Sequence, residues 1–219
     1  MTTDARTPLS RERVLHAAVA LADEHGLRAV TMRRLAEELD AEAMSLYYHV
    51  AKKEDVLDGI VEVVAQEINE TVARLEKGPD WRQTARRRIL AARQVFLRHR
   101  WAPALFETRS STSLEVLKYY DSLVGLMHEG GFSHNRIHHA LHALGSRALG
   151  FSQELFDPSA GASAEVPPEL AAQLPNLVGM LSEIAHDDPD STLGWCDDQA
   201  EFEFGLDLIL AGLDLLRER

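Results

Sequence analysis

Between Thr31 and Lys53 the sequence gathers Arg33, Arg34, Met44, Tyr47, Tyr48, His49, Lys52 and Lys53 in two short segments separated by three or four residues. Tyrosine hydroxyls, lysines and arginines donate to phosphate oxygens, and small or apolar side chains such as Ala43 and Met44 can contact thymine methyls. At helical spacing, Ala36 and Leu46 point inward to pack a crossing, while Ala43, Met44, Tyr47 and Tyr48 point away from it. Two tyrosines and a methionine left outside beside four cations are hard to justify as packing. The proportions are those of a helix-turn-helix. Lys52 and Lys53 also open the next helix, where free backbone amides favour a phosphate. The competing reading makes Met44, Tyr47 and Tyr48 core residues of a plain three-helix domain.

Other chemistry is thin. His134, His138 and His142 lie at i, i+4 and i+8, so neighbouring pairs could hold Zn²⁺ or Ni²⁺, but no carboxylate on the same line completes a site. Seven arginines between positions 82 and 100 spread around one helix and read as a surface that balances an acidic chain. There is no nucleophile elbow, no H-E-x-x-H, no phosphate loop and no pair of acids on one helix face, so neither a catalytic residue nor a cofactor nor a metal is assigned.

The elements that must position these groups all read as helices, and the expected fold class is all-α, with three compact helices followed by a larger bundle. Ser10 caps a first helix with the apolar face Val14, Leu15, Ala18, Val19, Leu21 and Ala22, stopped by Gly26. Thr31 caps a second helix that ends near Leu39, and a third runs from Ala43 to His49. A long fourth helix opens at Lys53 and ends before Gly78 and Pro79. Asp80 starts a fifth, Pro103 enters a short sixth, Ser113 starts a seventh that stops at Gly130, and Ser133 caps an eighth that continues to about Phe156. Residues 157–168 read as a loop, a ninth helix follows to about His186, and a last helix spans Asp197 to Arg217.

Two heptad-spaced seams stand out in the C-terminal half. One runs through Ile137, Leu141, Leu144, Ala148, Phe151 and Leu155, the other through Phe202, Leu206, Ile209, Leu213 and Leu216. The last helix adds Phe204, Leu208, Leu210 and Leu215 on other faces, and a helix apolar nearly all round must be covered on more than one side. Two helices from each of two chains would form a four-helix dimer interface, built on Leu141, Leu144, Ala148, Phe151, Phe202, Leu206, Ile209 and Leu213. A larger monomeric core is the alternative.

The 219 residues suffice for one large or two small domains, and at 45% hydrophobic and 26% charged they are not those of a disordered chain. No apolar run approaches the roughly 18 residues of a membrane span, and the polar N-terminus carries no signal-peptide core. One cysteine, Cys196, excludes an internal disulfide framework. The expected setting is the cytoplasm. The formal net charge is −12; residues 1–55 carry 8 Lys/Arg against 10 Asp/Glu, and the rest 15 against 25. A bulk basic footprint is absent, so any case for nucleic-acid binding must come from the motif.

From about Leu9 to Ile68 the chain closely resembles the DNA-binding domain of TetR-type transcriptional regulators. Gly26 and Leu27, the run Thr31–Ala36, Leu39, the run Ser45–Val50 and the run Lys52–Leu57 carry the likeness. The resemblance implies that Arg33 reaches a base or phosphate, that Ala43, Met44, Ser45, Tyr47 and Tyr48 lie in the major groove, and that Tyr47, His49 and Lys52 clamp the backbone. Asp40 stands where glycine is usual in such proteins and Glu42 where a small hydroxyl residue is common, so no operator sequence carries over. The last helix looks like that of the tetracycline-repressor-like C-terminal class.

The resemblance also implies an effector pocket between head and dimer core, for which Phe96, His99, Trp101, Leu105, Phe106, Tyr120, Met127 and His128 are candidate linings; each also reads as ordinary core. The expected organisation is a DNA-binding domain over 1–55, a linking helix over 53–77, and a ligand-binding and dimerisation domain over 56–219. The expected function is a homodimeric repressor that binds a palindromic double-stranded operator and is released by a small molecule. The alternative is a helical small-molecule or metal carrier with no use for DNA.

Overall fold

A computed structural model of the chain describes residues 8–109, 113–149, 172–173, 175–176, 179 and 198–217. Among the described residues all regular structure is helical: α1 (Arg11–His25), a 3₁₀ turn (Leu27–Ala29), α2 (Met32–Glu38), α3 (Ala43–Leu46), α4 (Lys53–Ala73), α5 (Trp81–Arg98), α6 (Ala102–Thr108), α7 (Leu114–Glu129), α8 (His134–Leu149) and α9 (Asp198–Leu215). No described helix is long and apolar enough to cross a membrane.

The helix starts follow the expected capping chemistry. The side chains of Ser10, Thr31, Asp80 and Ser113 accept hydrogen bonds from the amides three residues on, at 3.2, 3.2, 2.8 and 3.3 Å. Gly26 closes α1 at φ 77°, and Asp40 follows α2 at φ 47°, a left-handed position that aspartate tolerates better than most residues.

Two ends differ from expectation. The third helix stops at Leu46 rather than His49, because the His49 and Val50 amides both bond back to the Leu46 carbonyl (2.9 and 3.0 Å) and turn Val50 into the core, where it is 4% exposed. The fourth helix stops at Ala73 rather than 77. The Arg74 and Leu75 amides tighten to the carbonyls three residues back, and Leu75 already faces solvent. The eighth helix is described to Leu149; its extension to Phe156, the loop at 157–168 and the ninth helix lie outside the described residues.

Three apolar clusters organise the packing. The first joins the apolar face of α1 to Leu35, Ala36, Leu46, Val50, Val56, Ile60 and Val61, and takes in Leu105 from α6. The second joins Trp81, Ala85 and Ile89 of α5 to Leu126 and Met127 of α7, Phe132, the inner face of α8 and Phe202, Leu206 and Leu210 of α9. A smaller third, with Val64 and Ile68 of α4 against Ala92 and Val95 of α5, lies between them. Helix α4 therefore supplies residues to the head cluster and, one turn on, to the body.

Candidate functional site

The head is built so that one side of α3 is anchored and the other is free. Leu46 is fully buried, while Met44, Tyr47 and Tyr48 are 69%, 45% and 86% exposed. These exposures rule out the alternative in which the three are core residues. Around them Arg33, Arg34, Ala43 and Lys52 are exposed, and Thr31, Ser45, His49 and Lys53 half-buried. Arg33 donates through Nε to Glu37 at 2.9 Å, an i,i+4 pair worth only a few tenths of a kcal/mol, so the guanidinium is cheaply redirected. Glu42 is the N-cap of α3, yet its side chain makes no capping bond. The result is a ridge of aromatic, apolar and cationic groups that carries no burial role.

Behind the head lies a cavity. Its walls come from α4 (Ala65, Ile68), α5 (Ile89, Ala92, Arg93, Phe96), α6 (Phe106), α7 (Val116, Tyr119, Tyr120, Leu123) and α8 (Leu141, Leu144, Gly145), and they enclose about 70 Å³. Phe96 and Phe106 meet edge to face at 5.3 Å. Arg93 leaves the wall toward α9, donating to Gln199 at 3.1 Å and lying 4.1 Å over the Phe202 ring. Burial pushes the Tyr119 phenol well above its usual range, so it stays a neutral hydrogen-bond donor.

Of the eight residues nominated from sequence, Phe96, Phe106 and Tyr120 stand on this wall. Leu105 points the other way into the head cluster. Met127 sits in the α5–α7–α9 core, and exposed His128 stacks on His134 at 4.8 Å. His99 is elsewhere: its Nδ1 lies 2.8 Å from Asp23 of α1 and its Nε2 2.9 Å from Glu67 of α4. Trp101 joins it by donating Nε1 to Asp23 at 2.7 Å. Sequence reasoning missed Tyr119, Arg93 and this carboxylate pair. One signal was available: Asp23 stands in the last turn of α1, where the helix dipole disfavours an acid unless a donor meets it.

The remaining candidates lie on α8 and α9. Leu144, Phe202 and Leu206 are buried in the chain's own core, with Leu141, Ile209 and Leu213 packed at its edge. Of the expected interface, Leu144, Phe202 and Leu206 are thus covered from within, while Leu141, Ile209 and Leu213 stay half-buried. The apolar side chains left outside on and just after α9 are Phe204, Leu208 and Leu215, at 65%, 60% and 87% exposure, and Leu216 of the expected seam at 57%. Phe151 and the side chain of Ala148 lie outside the described residues. His138 and His142 meet at 4.7 Å, but no group of three metal-ligating side chains occurs among the described residues.

Comparison with known proteins accords with this geometry. Residues 14–60 match the family described as bacterial regulatory proteins, tetR family, and residues 75–216 match the tetracyclin repressor-like C-terminal domain. An HTH-type transcriptional regulator of Saccharopolyspora erythraea is 30% identical over 209 residues, which is 94% of this chain and 84% of that protein. The crystal structure of a possible TetR family transcriptional regulator from Streptomyces coelicolor is similar with a TM-score of 0.75 at 29% identity, covering 95% of this chain and all of that one. The TetR family protein ActR of the same organism, solved in complex with (S)-DNPA, gives a TM-score of 0.73 at 26% identity over 97% of this chain and 100% of its own. The helix-turn-helix head on a larger helical body places the chain in the TetR family of bacterial transcriptional regulators.

Proposed function

We propose that the chain is a homodimeric repressor that binds a palindromic operator through α3 and is released when a small apolar molecule enters the cavity. The observation that carries the DNA half is the exposure of Met44 on α3 and of Tyr47 and Tyr48 in the turn that follows it, while Leu46 between them is fully buried. Tyrosine and Lys52 would hold phosphates while Ala43, Met44 and Ser45 meet base edges. The dimer half rests on the uncovered stripe Phe204, Leu208 and Leu215 of α9, spaced by four and seven residues as in a helix–helix seam. A two-fold axis through that seam would present two copies of α3 to half-sites ~34–36 Å apart or a multiple of that. Such a protein works in the cytoplasm.

The effector half follows from size and wiring. About 70 Å³ is far below the ~300–1,000 Å³ of ordinary ligand sites, so an entering molecule must part the walls. Ala65 and Ile68 of α4 are part of that wall, and the same helix holds Val56, Ile60 and Val61 against the head. Opening the cavity would therefore tilt α4 and change the separation of the two heads. By linkage, operator DNA would weaken effector binding by the same factor. The cavity's apolar lining, with Tyr119 as a neutral donor, suits an aromatic molecule that carries a hydrogen-bond acceptor. The neighbouring ActR binds (S)-DNPA.

The test is a double substitution, Tyr48→Ala with Lys52→Ala, measured by fluorescence anisotropy on an operator duplex recovered from random DNA. Operator affinity should fall by at least about a hundredfold with helicity unchanged, since each protomer loses two hydrogen bonds to charged phosphates worth roughly 1.5–3 kcal/mol apiece. Undiminished binding by a folded variant would remove Tyr48 and Lys52, and with them the surface that follows α3, from the interface.

A further inference from the structure

We propose that His99 is a positioning residue that pins the DNA-binding head to the cavity walls and so sets the orientation in which the operator is read. Its consequence for DNA rests on the regulator reading above; the pin itself does not. His99 is 7% exposed and caps α5, held by its own amide to Val95 at 3.1 Å and by its carbonyl to the Ala102 amide of α6 at 2.8 Å. From that fixed junction the ring reaches two other helices at once, Asp23 at the end of α1 and Glu67 in the middle of α4. Each ring nitrogen faces a carboxylate at hydrogen-bond distance, so the two contacts leave no ring polar atom unused.

Each member of the cluster has a second tie. Asp23 also accepts from Trp101, and Glu67 also accepts from Arg98. The charged groups around the ring are thus Asp23 from α1, Glu67 from α4 and Arg98 from α5. Each anchor also abuts the cavity: His99 stands three residues beyond Phe96, and Glu67 directly precedes Ile68. A shift of the α5–α6 junction or of α4 is therefore felt at Asp23, 76 residues away in sequence and inside the head. The Arg11–Glu62 pair also ties α1 to α4, but it is half exposed and easily screened.

Two variants of the full chain separate pinning from space filling. His99→Phe keeps a ring of similar bulk and removes both polar contacts; His99→Gln keeps a hydrogen-bonding amide on a slimmer side chain. Amide hydrogen exchange of peptides within 8–40 and 134–149 is followed by mass spectrometry. Operator affinity is measured on the duplex selected from random DNA. If His99 pins the head, exchange in 8–40 should rise in the order wild type, Gln, Phe, with 134–149 unchanged. Operator affinity should fall in the same order, by about tenfold for Phe, within the usual range of coupling factors. A space-filling role reverses the order, leaving Phe nearest to wild type, and overturns the proposal. Should His99→Phe fail to fold, Asp23→Asn takes its place and must loosen 8–40 alone; unchanged exchange there overturns the proposal as well. Failure to recover any operator with the wild type would sink the regulator reading, and the exchange order would still decide on the pin.

Discussion

Replacing Gly59 with alanine tests how tightly α1 is pressed on α4, the contact on which transmission to the head depends. In an open helix, glycine to alanine gains up to about 1 kcal/mol of helix propensity. At Gly59 an added Cβ would fall 2.4 and 2.8 Å from the two methyls of Leu15, which is itself 2% exposed between the helices. The tip of the Leu15 side chain must shift to admit it, and overpacking of this kind costs about 1–3 kcal/mol. The net is a destabilisation of about 1 kcal/mol, with the head displaced from α4. Gly125, exposed on α7, has no atom within 4 Å of the added Cβ, so Gly125→Ala should show the helix gain alone, up to about 1 kcal/mol. Urea unfolding of the two variants at equal protein concentration reads the contrast, provided the m-values agree. If Gly59→Ala stabilises as much as Gly125→Ala, α1 does not bear on α4 as described.

Aspartate in place of Leu208 puts a charge in the middle of the exposed α9 stripe and leaves the chain's own core untouched. Sedimentation should show monomer with helicity retained; a persistent dimer would place the interface elsewhere. Acid stability should depend on Glu67. Burial works to raise its pKa, but hydrogen bonds from Arg98 and His99 prevail and hold it below the usual 4.5. A depressed carboxylate contributes fully above its unfolded value and loses that contribution as pH falls through the folded one. Stability should therefore decline from about pH 4.5 downward, and Glu67→Gln should flatten that limb. A variant that loses stability just as steeply there would refute the assignment. Removing Lys52 should shift the salt dependence of operator binding by about 0.9 in slope for each lost phosphate contact, hence near 2 for a dimer. An unchanged slope would take Lys52 off the backbone.

What the sequence disclosed is what is local. The hydroxyl and carboxylate caps at Ser10, Thr31, Asp80 and Ser113 act over three residues, and the six buried positions of α1 follow from its 3.6-residue period. The exposed ridge on α3 was legible for the same reason, with Leu46 fixing which way its neighbours point. Three kinds of information were not local. Histidine, apolar in body and polar at both nitrogens, reads equally as pocket lining or strut, and only partners 76 and 32 residues away decide for His99. Spacing shows that Phe202, Leu206, Ile209 and Leu213 share a face but not that α5 and α8 already bury Phe202 and Leu206 while Ile209 and Leu213 stay half-buried. Helix ends at Leu46 and Ala73 were set by where Val50 must be buried and where the core beneath α4 gives out, which no cap residue announces.

The central claim is that a two-fold pair of α3 ridges reads DNA. Selection from a pool of random duplexes by the purified protein, followed by anisotropy on the enriched sequence, addresses it with neither operator nor effector in hand. The expected result is recovery of a palindrome with half-sites about one helical turn or a multiple apart, bound with a steep salt dependence. A folded dimeric protein that enriches no duplex, at low salt as at high, would contradict it.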